Sequence, residues 1–174
     1  MTDAATEHPS SPLSPSGRGG PWLAVVIAAI GVGIVLSGIV AGSPGLFEGD
    51  GTLTLGDRLT ETSRVSVRIL LFAALVLAAM TVDAMRLRRP LGDWLLAAVR
   101  CLAIVAIVEA IRIVNMPHGA ERIVVLGAAQ YLAFAIACMG FFRLGLRESV
   151  VFTTACTIGA VILWLGAQLG TWLA

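Results

Sequence analysis

The sequence contains no lysine, only two histidines and little charge of either sign. All twelve basic residues among its 174 are Arg, and His8 and His118 both lie in polar stretches. Without Lys, a Schiff base to retinal or pyridoxal phosphate and a P-loop are excluded. Histidines outside the apolar segments cannot provide the paired imidazoles of a b-type haem. We therefore predict no bound cofactor.

Other classes of chemistry are also missing from the sequence. The net charge of +1 lacks the basic excess with which nucleic-acid binders neutralise phosphates. Cys101, Cys138 and Cys156 lie in three different apolar segments without CxxC spacing, which is typical of buried thiols rather than metal ligands. No GxSxG or HExxH motif occurs. We predict a protein that is not an enzyme and has no nucleic-acid partner.

Apolar residues dominate the chain. They make up 57% of the sequence, against 13% charged residues, and the mean hydropathy is +0.91; soluble domains carry about 25% charged residues. The apolar residues form runs of about 20, the length that crosses roughly 30 Å of hydrocarbon as a helix. The composition therefore predicts an all-α, polytopic membrane helical bundle with the lipid bilayer around it.

Five spans are predicted within a transmembrane domain over residues 21–174. The helices are expected at about 21–42, 65–87, 91–114, 121–143 and 149–173. The connections from span two onward are short, so neighbouring spans are antiparallel. Asp57 and Glu61 favour a helix start near Gly56, which would extend span two below the interface.

Arginines in the connections indicate an orientation. Arg86, Arg88 and Arg89 follow span two, and Arg143 and Arg147 follow span four. The positive-inside rule places both connections in the cytoplasm. We therefore predict the N-terminus inside and the C-terminus outside, in the cell (plasma or inner) membrane.

The N-terminal tail has a different composition. Residues 1–20 hold Pro9, Pro12 and Pro15 among Ser and Gly, without apolar periodicity, and we predict a disordered tail. A signal peptide cleaved near Gly42 is the alternative. The apolar stretch is longer than the usual 7 to 15 residues, and Arg18 is the only basic residue before it, which favours a retained span.

Small residues recur every four positions along span one. They are Ala29, Gly33, Ser37 and Ala41, and span five carries Gly166 and Gly170 as a GxxxG pair. Such ridges let helices approach closely. We predict helix packing along them, primarily within one chain. Packing between copies would make the protein a homo-oligomer or join it to other membrane proteins.

Span three carries charges inside its apolar run. Arg100 and Glu109 are separated by eight uncharged residues. At the helix centre these two cost roughly 5 to 7 kcal/mol, whereas the twelve Leu, Ile and Val residues from 91 to 114 return roughly 4 to 7 kcal/mol. Span three therefore inserts only marginally alone and needs partners in its neighbours. A re-entrant or interfacial segment, leaving four spans, is the alternative.

A hairpin about Arg89 and Pro90 identifies possible partners on span two. It puts Arg68 almost level with Glu109, and Asp83 roughly 6 Å from the level of Arg100. Because Arg100 and Glu109 lie on opposite faces of their helix, they cannot both face span two. The candidate intramembrane charge network is Arg68, Asp83, Arg100, Glu109 and Arg112, with Gln130, Tyr131, Thr153, Thr154, Thr157 and Gln168 as further polar partners.

Two functions are compatible with these charges. In the first, the charges are paired inside the bundle and fix helix register, and the protein is a non-enzymatic structural, assembly or regulatory membrane component. In the second, they line the path of a proton, ion or small solute through a channel or transporter. The first is favoured because counter-ions lie at matching depths and because the Gly/Pro-interrupted half-helices of transporters are missing.

Overall fold

Five helices build the part of the chain that the structure describes. The computed structural model describes residues 12–14, 20–42, 54–114 and 120–173. The helices are α1 (Gly20–Ala41), α2 (Leu55–Arg86), α3 (Trp94–Ile111), α4 (Ala120–Phe141) and α5 (Leu146–Leu173). All five are long and apolar enough to cross a membrane, and the described residues include no strand. The prediction of an all-helical fold with five span-length helices is confirmed.

Helix α2 begins about ten residues before the predicted start of its span. Thr54 caps it: the Asp57 N–H donates to Thr54 Oγ1 at 3.3 Å, and the Thr54 N–H donates to Asp57 Oδ2 at 3.0 Å. This reciprocal capping box satisfies N–H groups that a helix start leaves without partners. The helix extension expected near Gly56 is therefore present. At 1.5 Å per residue, the 32 residues reach about 48 Å, well beyond the apolar thickness of a bilayer.

Helix α3 is the central helix, and it is shorter than predicted. Asp93 ends the preceding connection, and its Oδ1 accepts from the Leu95 and Leu96 N–H groups at 2.9 and 3.2 Å. This carboxylate is therefore an N-cap and not a charge within the span. Half of the 18 residues of α3 are buried, and the helix packs against α1, α2 and α4.

The packing face of α1 differs from the predicted ridge. The buried residues of α1 are Ala24, Ala28, Gly31, Val35, Gly38 and Ile39. Gly31 lies directly against α3: a Cβ added there would be 2.8 Å from Ala106 Cβ. Buried residues with alternating spacings of four and three, most of them Ala or Gly, thus bring α1 into close contact with the central helix.

The predicted ridge residues Ala29, Gly33, Ser37 and Ala41 are all exposed. A Cβ on Gly33 or on Gly166 would meet no atom within 4 Å, and the surroundings of Gly170 lie outside the described residues. Packing of these residues within one chain is therefore not observed for the ridge or for Gly166. The reason is that α1 is apolar on every side and carries small residues on two faces, and the face with Gly31 is the one that packs against α3. Packing between copies stays a prediction.

Candidate functional site

Three of the predicted network residues meet near the C-terminal end of α3. The Arg68 Nη2 on α2 donates to Glu109 Oε2 at 2.6 Å, and Arg112 Nη1 lies 3.9 Å from the same oxygen. We call Arg68, Glu109 and Arg112 the charge cluster. Their side chains are 28%, 7% and 43% exposed, respectively. The hairpin estimate, which put Arg68 level with Glu109, agrees with this contact.

The charge cluster joins two helices electrostatically. A carboxylate loses several kcal/mol of hydration when it is buried, and a guanidinium at hydrogen-bond distance offsets part of that cost. Because Arg68 belongs to α2 and Glu109 to α3, the pair couples the depths of the two helices. Arg112 adds a second positive charge one helical turn from Glu109, nearer the end of α3.

A cavity of about 270 Å³ lies beside the charge cluster, between α2, α3, α4 and α5. Its lining is mostly apolar, with Phe72, Leu75, Val76, Val105 and Phe134, and its polar lining residues are Glu109, Arg112, Gln130, Tyr131 and Thr157. Arg100 is not among the lining residues. The two buried charges of α3 therefore do not share this cavity.

Polar side chains of α4 bond to the neighbouring helices. The Gln130 Nε2 donates to the Val108 carbonyl on α3 at 3.2 Å. The Tyr131 hydroxyl forms a hydrogen bond of 2.8 Å with the Thr154 hydroxyl on α5. Gln130 and Tyr131 thus hold α4 between α3 and α5. The surroundings of Gln168, another expected partner, lie outside the described residues.

Arg100 lies in the N-terminal half of α3 and is fully buried, with 0% exposure. Its Nη1 donates to the Ser14 hydroxyl at 2.8 Å. Ser14 belongs to the stretch that we predicted to be a disordered tail, yet it is 2% exposed and the adjacent Leu13 is 0% exposed. Residues 12–14 therefore pack onto the bundle, whereas residues 1–11 and 15–19 of the predicted tail lie outside the described residues.

Backbone hydrogen bonds hold residues 12–14 in place. The Leu13 and Ser14 N–H groups donate to the carbonyls of Pro90 and Leu91, each at 3.0 Å, in the α2–α3 connection. The Arg143 N–H, in the α4–α5 connection, donates to the Leu13 carbonyl at 2.9 Å. Ser14 pairs with Gly92 as an isolated parallel bridge. The segment thus bonds to both connections at the end of the bundle where α1 begins.

Asp83 has a different partner from the one considered in the hairpin estimate. Its Oδ1 lies 3.8 Å from Arg86 Nη1 on the same helix. Arg100, which the estimate placed within reach of Asp83, bonds to Ser14 instead. Residue numbers along a hairpin predict the depth of each side chain but not the direction in which it points around its helix. The structure therefore does not join all five network residues: Arg68, Glu109 and Arg112 form one group, and Asp83 and Arg100 lie apart from it.

The described residues offer no site for a metal. They include no group of three or more His, Cys, Asp or Glu side chains that could hold an ion. Cys101, Cys138 and Cys156 are buried free thiols, at 0%, 0% and 7% exposure. These values agree with the expectation of buried thiols.

Sequence reasoning missed the role of Ser14 and Gly92. Nothing in a Pro- and Ser-rich stretch signals that one hydroxyl bonds to an arginine 86 positions away. The one available signal is the glycine: Gly92 lies in the α2–α3 connection and has a φ of +90°, a conformation that favours glycine.

Comparisons with protein-family models, curated proteins and solved structures find no match to this chain.

Proposed function

We propose that the protein is a non-enzymatic structural or assembly component of a membrane, in which five helices span the bilayer and partnered charges hold the third. The observation that carries this proposal is the contact between Arg68 and Glu109 across two helices. We also propose that the N-terminus lies on the cytoplasmic side of the cell membrane, because the arginines of the α2–α3 and α4–α5 connections lie at the same end of the bundle. An N-terminal reporter found outside would contradict this orientation.

The energetics of α3 support an assembly role. The nine Leu, Ile and Val residues of α3 return roughly 3 to 5 kcal/mol, less than the roughly 5 to 7 kcal/mol that its two buried charges cost. Helix α3 is therefore stable in a bilayer only when α2 supplies Arg68 and the rest of the bundle covers Arg100. Folding of the helices and their association are then coupled through charge. A small protein whose helices fold and associate together in this way suits a structural role beside other membrane proteins better than the turnover of a substrate.

Transport is the second candidate, and the cavity beside Glu109 favours it. A carboxylate that lines a cavity inside a helical bundle is an arrangement also used for moving protons. Two observations count against transport. The Glu109 carboxylate is held by Arg68 at 2.6 Å, and the cavity lining does not include Arg100. A path through the bundle along α3 would have to pass both charges.

A charge swap separates the two candidates. Arg68→Glu and Glu109→Arg are each expected to lower the amount of folded protein in membranes, because each places two like charges in contact. The double variant restores the pair across the two helices but leaves Arg112 beside a second positive charge, so it is expected to recover only part of that amount. A matched control is the swap of Arg64 and Glu61, an ion pair on α2 in which Arg64 is 67% exposed; breaking it should change little.

The same variants are then reconstituted in proteoliposomes and assayed for proton and ion flux. The assembly proposal predicts no flux in the unaltered protein and partial recovery of accumulation by the double variant. Flux that is present in the unaltered protein and lost in a normally accumulating Glu109→Gln variant would overturn it in favour of transport. Failure of the double variant to recover would show that the pair does not hold α3.

A further inference from the structure

Residues 12–14 bond to two different connections at the same end of the bundle. They bond to the α2–α3 connection through Pro90 and Leu91 and to the α4–α5 connection through Arg143. Arg89 adds a bond of the same kind, with its Nη1 donating to the Arg143 carbonyl at 3.3 Å. We call residues 12–14 the clasp.

The clasp depends on a glycine for its close approach. At Gly92, with φ at +90°, a Cβ would lie only 2.7 Å from the Ser14 carbonyl oxygen. No side chain fits at that distance, so any substitution must push the Ser14 backbone away. Gly92 is itself exposed, and the clash therefore falls on the clasp rather than on the helical core.

The clasp also covers Arg100. Ser14 Oγ accepts from the Arg100 guanidinium, and Leu13 is buried at the same end. These contacts come from three consecutive residues, so the loss of one weakens the hold of the others. The clasp attaches through connections and one side chain, not through a helix of its own. Its release would thus leave the five helices intact.

We propose that the clasp is a releasable closure: when bound, it ties the α2–α3 and α4–α5 connections together and keeps water and solutes from Arg100, and its release opens that end of the bundle. This goes beyond the proposed assembly function and does not depend on the charge cluster, which lies at the other end of α3.

The test compares two glycines with positive φ. Gly92→Ala is expected to displace the clasp, whereas Gly20→Ala also places a side chain at a positive φ, +59°, but meets no atom within 4 Å. Hydrogen exchange of the full-length protein in nanodiscs reports the amides of Leu13, Ser14 and Arg143. We expect at least tenfold faster exchange at these amides in Gly92→Ala and no change in Gly20→Ala. Ser14→Ala, which removes only the side-chain bond, should give a smaller increase.

Access to Arg100 is measured in the same samples with phenylglyoxal, which modifies arginine, followed by mass spectrometry. Arg64, 67% exposed, serves as the internal standard. We expect Arg100 to resist modification in the unaltered protein and to react at least tenfold faster in Gly92→Ala. Equal reactivity of Arg100 and Arg64 in the unaltered protein would overturn the proposal. So would unchanged amide exchange in Gly92→Ala, or an unreactive Arg100 after amide protection is lost.

Discussion

At the scale of single residues, the charged side chains of α3 have three different roles. Asp93 caps the helix, Glu109 pairs with Arg68 on α2, and Arg100 bonds to Ser14. The sequence places all three in or beside one apolar run and cannot separate these roles. Their directions around the helix and the positions of the partners decide which side chain caps, which pairs and which is covered.

The capping role of Asp93 can be tested by substitution. Asp93→Ala removes the acceptor for the Leu95 and Leu96 N–H groups and is expected to lower the free energy of unfolding by about 1 kcal/mol. Asp93→Asn keeps an acceptor oxygen and should cost a few tenths at most. Thermal unfolding in detergent measures both. An equal loss in the two variants would mean that the charge of Asp93, and not its capping, matters.

At the scale of helices, the sequence predicts which segments are helical better than where they end and what they touch. The lengths of the apolar runs alone locate the five helices, because a single apolar segment can satisfy its own backbone N–H and C=O groups only as a helix. The ends shift where polar groups cap, as at Thr54 and Asp93. The contact face of α1 could not be predicted, because Gly31 and Gly33 are equivalent in a helix without a polar side.

Gly31 and Gly33 differ in what an added methyl group would contact. Gly31→Ala places a methyl group 2.8 Å from Ala106 Cβ and is expected to destabilise the bundle by about 1 to 3 kcal/mol. Gly33→Ala meets nothing and should be neutral or stabilising by up to about 1 kcal/mol through helix propensity. Unfolding temperatures of the two variants in one detergent provide the comparison. The packing described for α1 fails if Gly33→Ala proves the more damaging variant.

At the scale of the whole molecule, contacts around α3 organise the bundle. The charge cluster links α3 to α2 near one end, Gly31 brings α1 against it, and the clasp ties the connections at the other end. The first of these could be anticipated, since depth along antiparallel spans follows from residue number. The clasp could not, because its residues carry no periodic pattern and bond through their backbone.

In the proposed function, charge pairing between α2 and α3 holds the bundle together, and the coupling free energy between Arg68 and Glu109 measures the strength of that pairing. A double-mutant cycle with Arg68→Met, Glu109→Gln and the double variant, followed by thermal unfolding in nanodiscs, yields that energy. We predict a favourable coupling of about 1 to 3 kcal/mol, within the range for contacting residues. Coupling within about 0.3 kcal/mol of zero, with each single variant as stable as the unaltered protein, would contradict the claim.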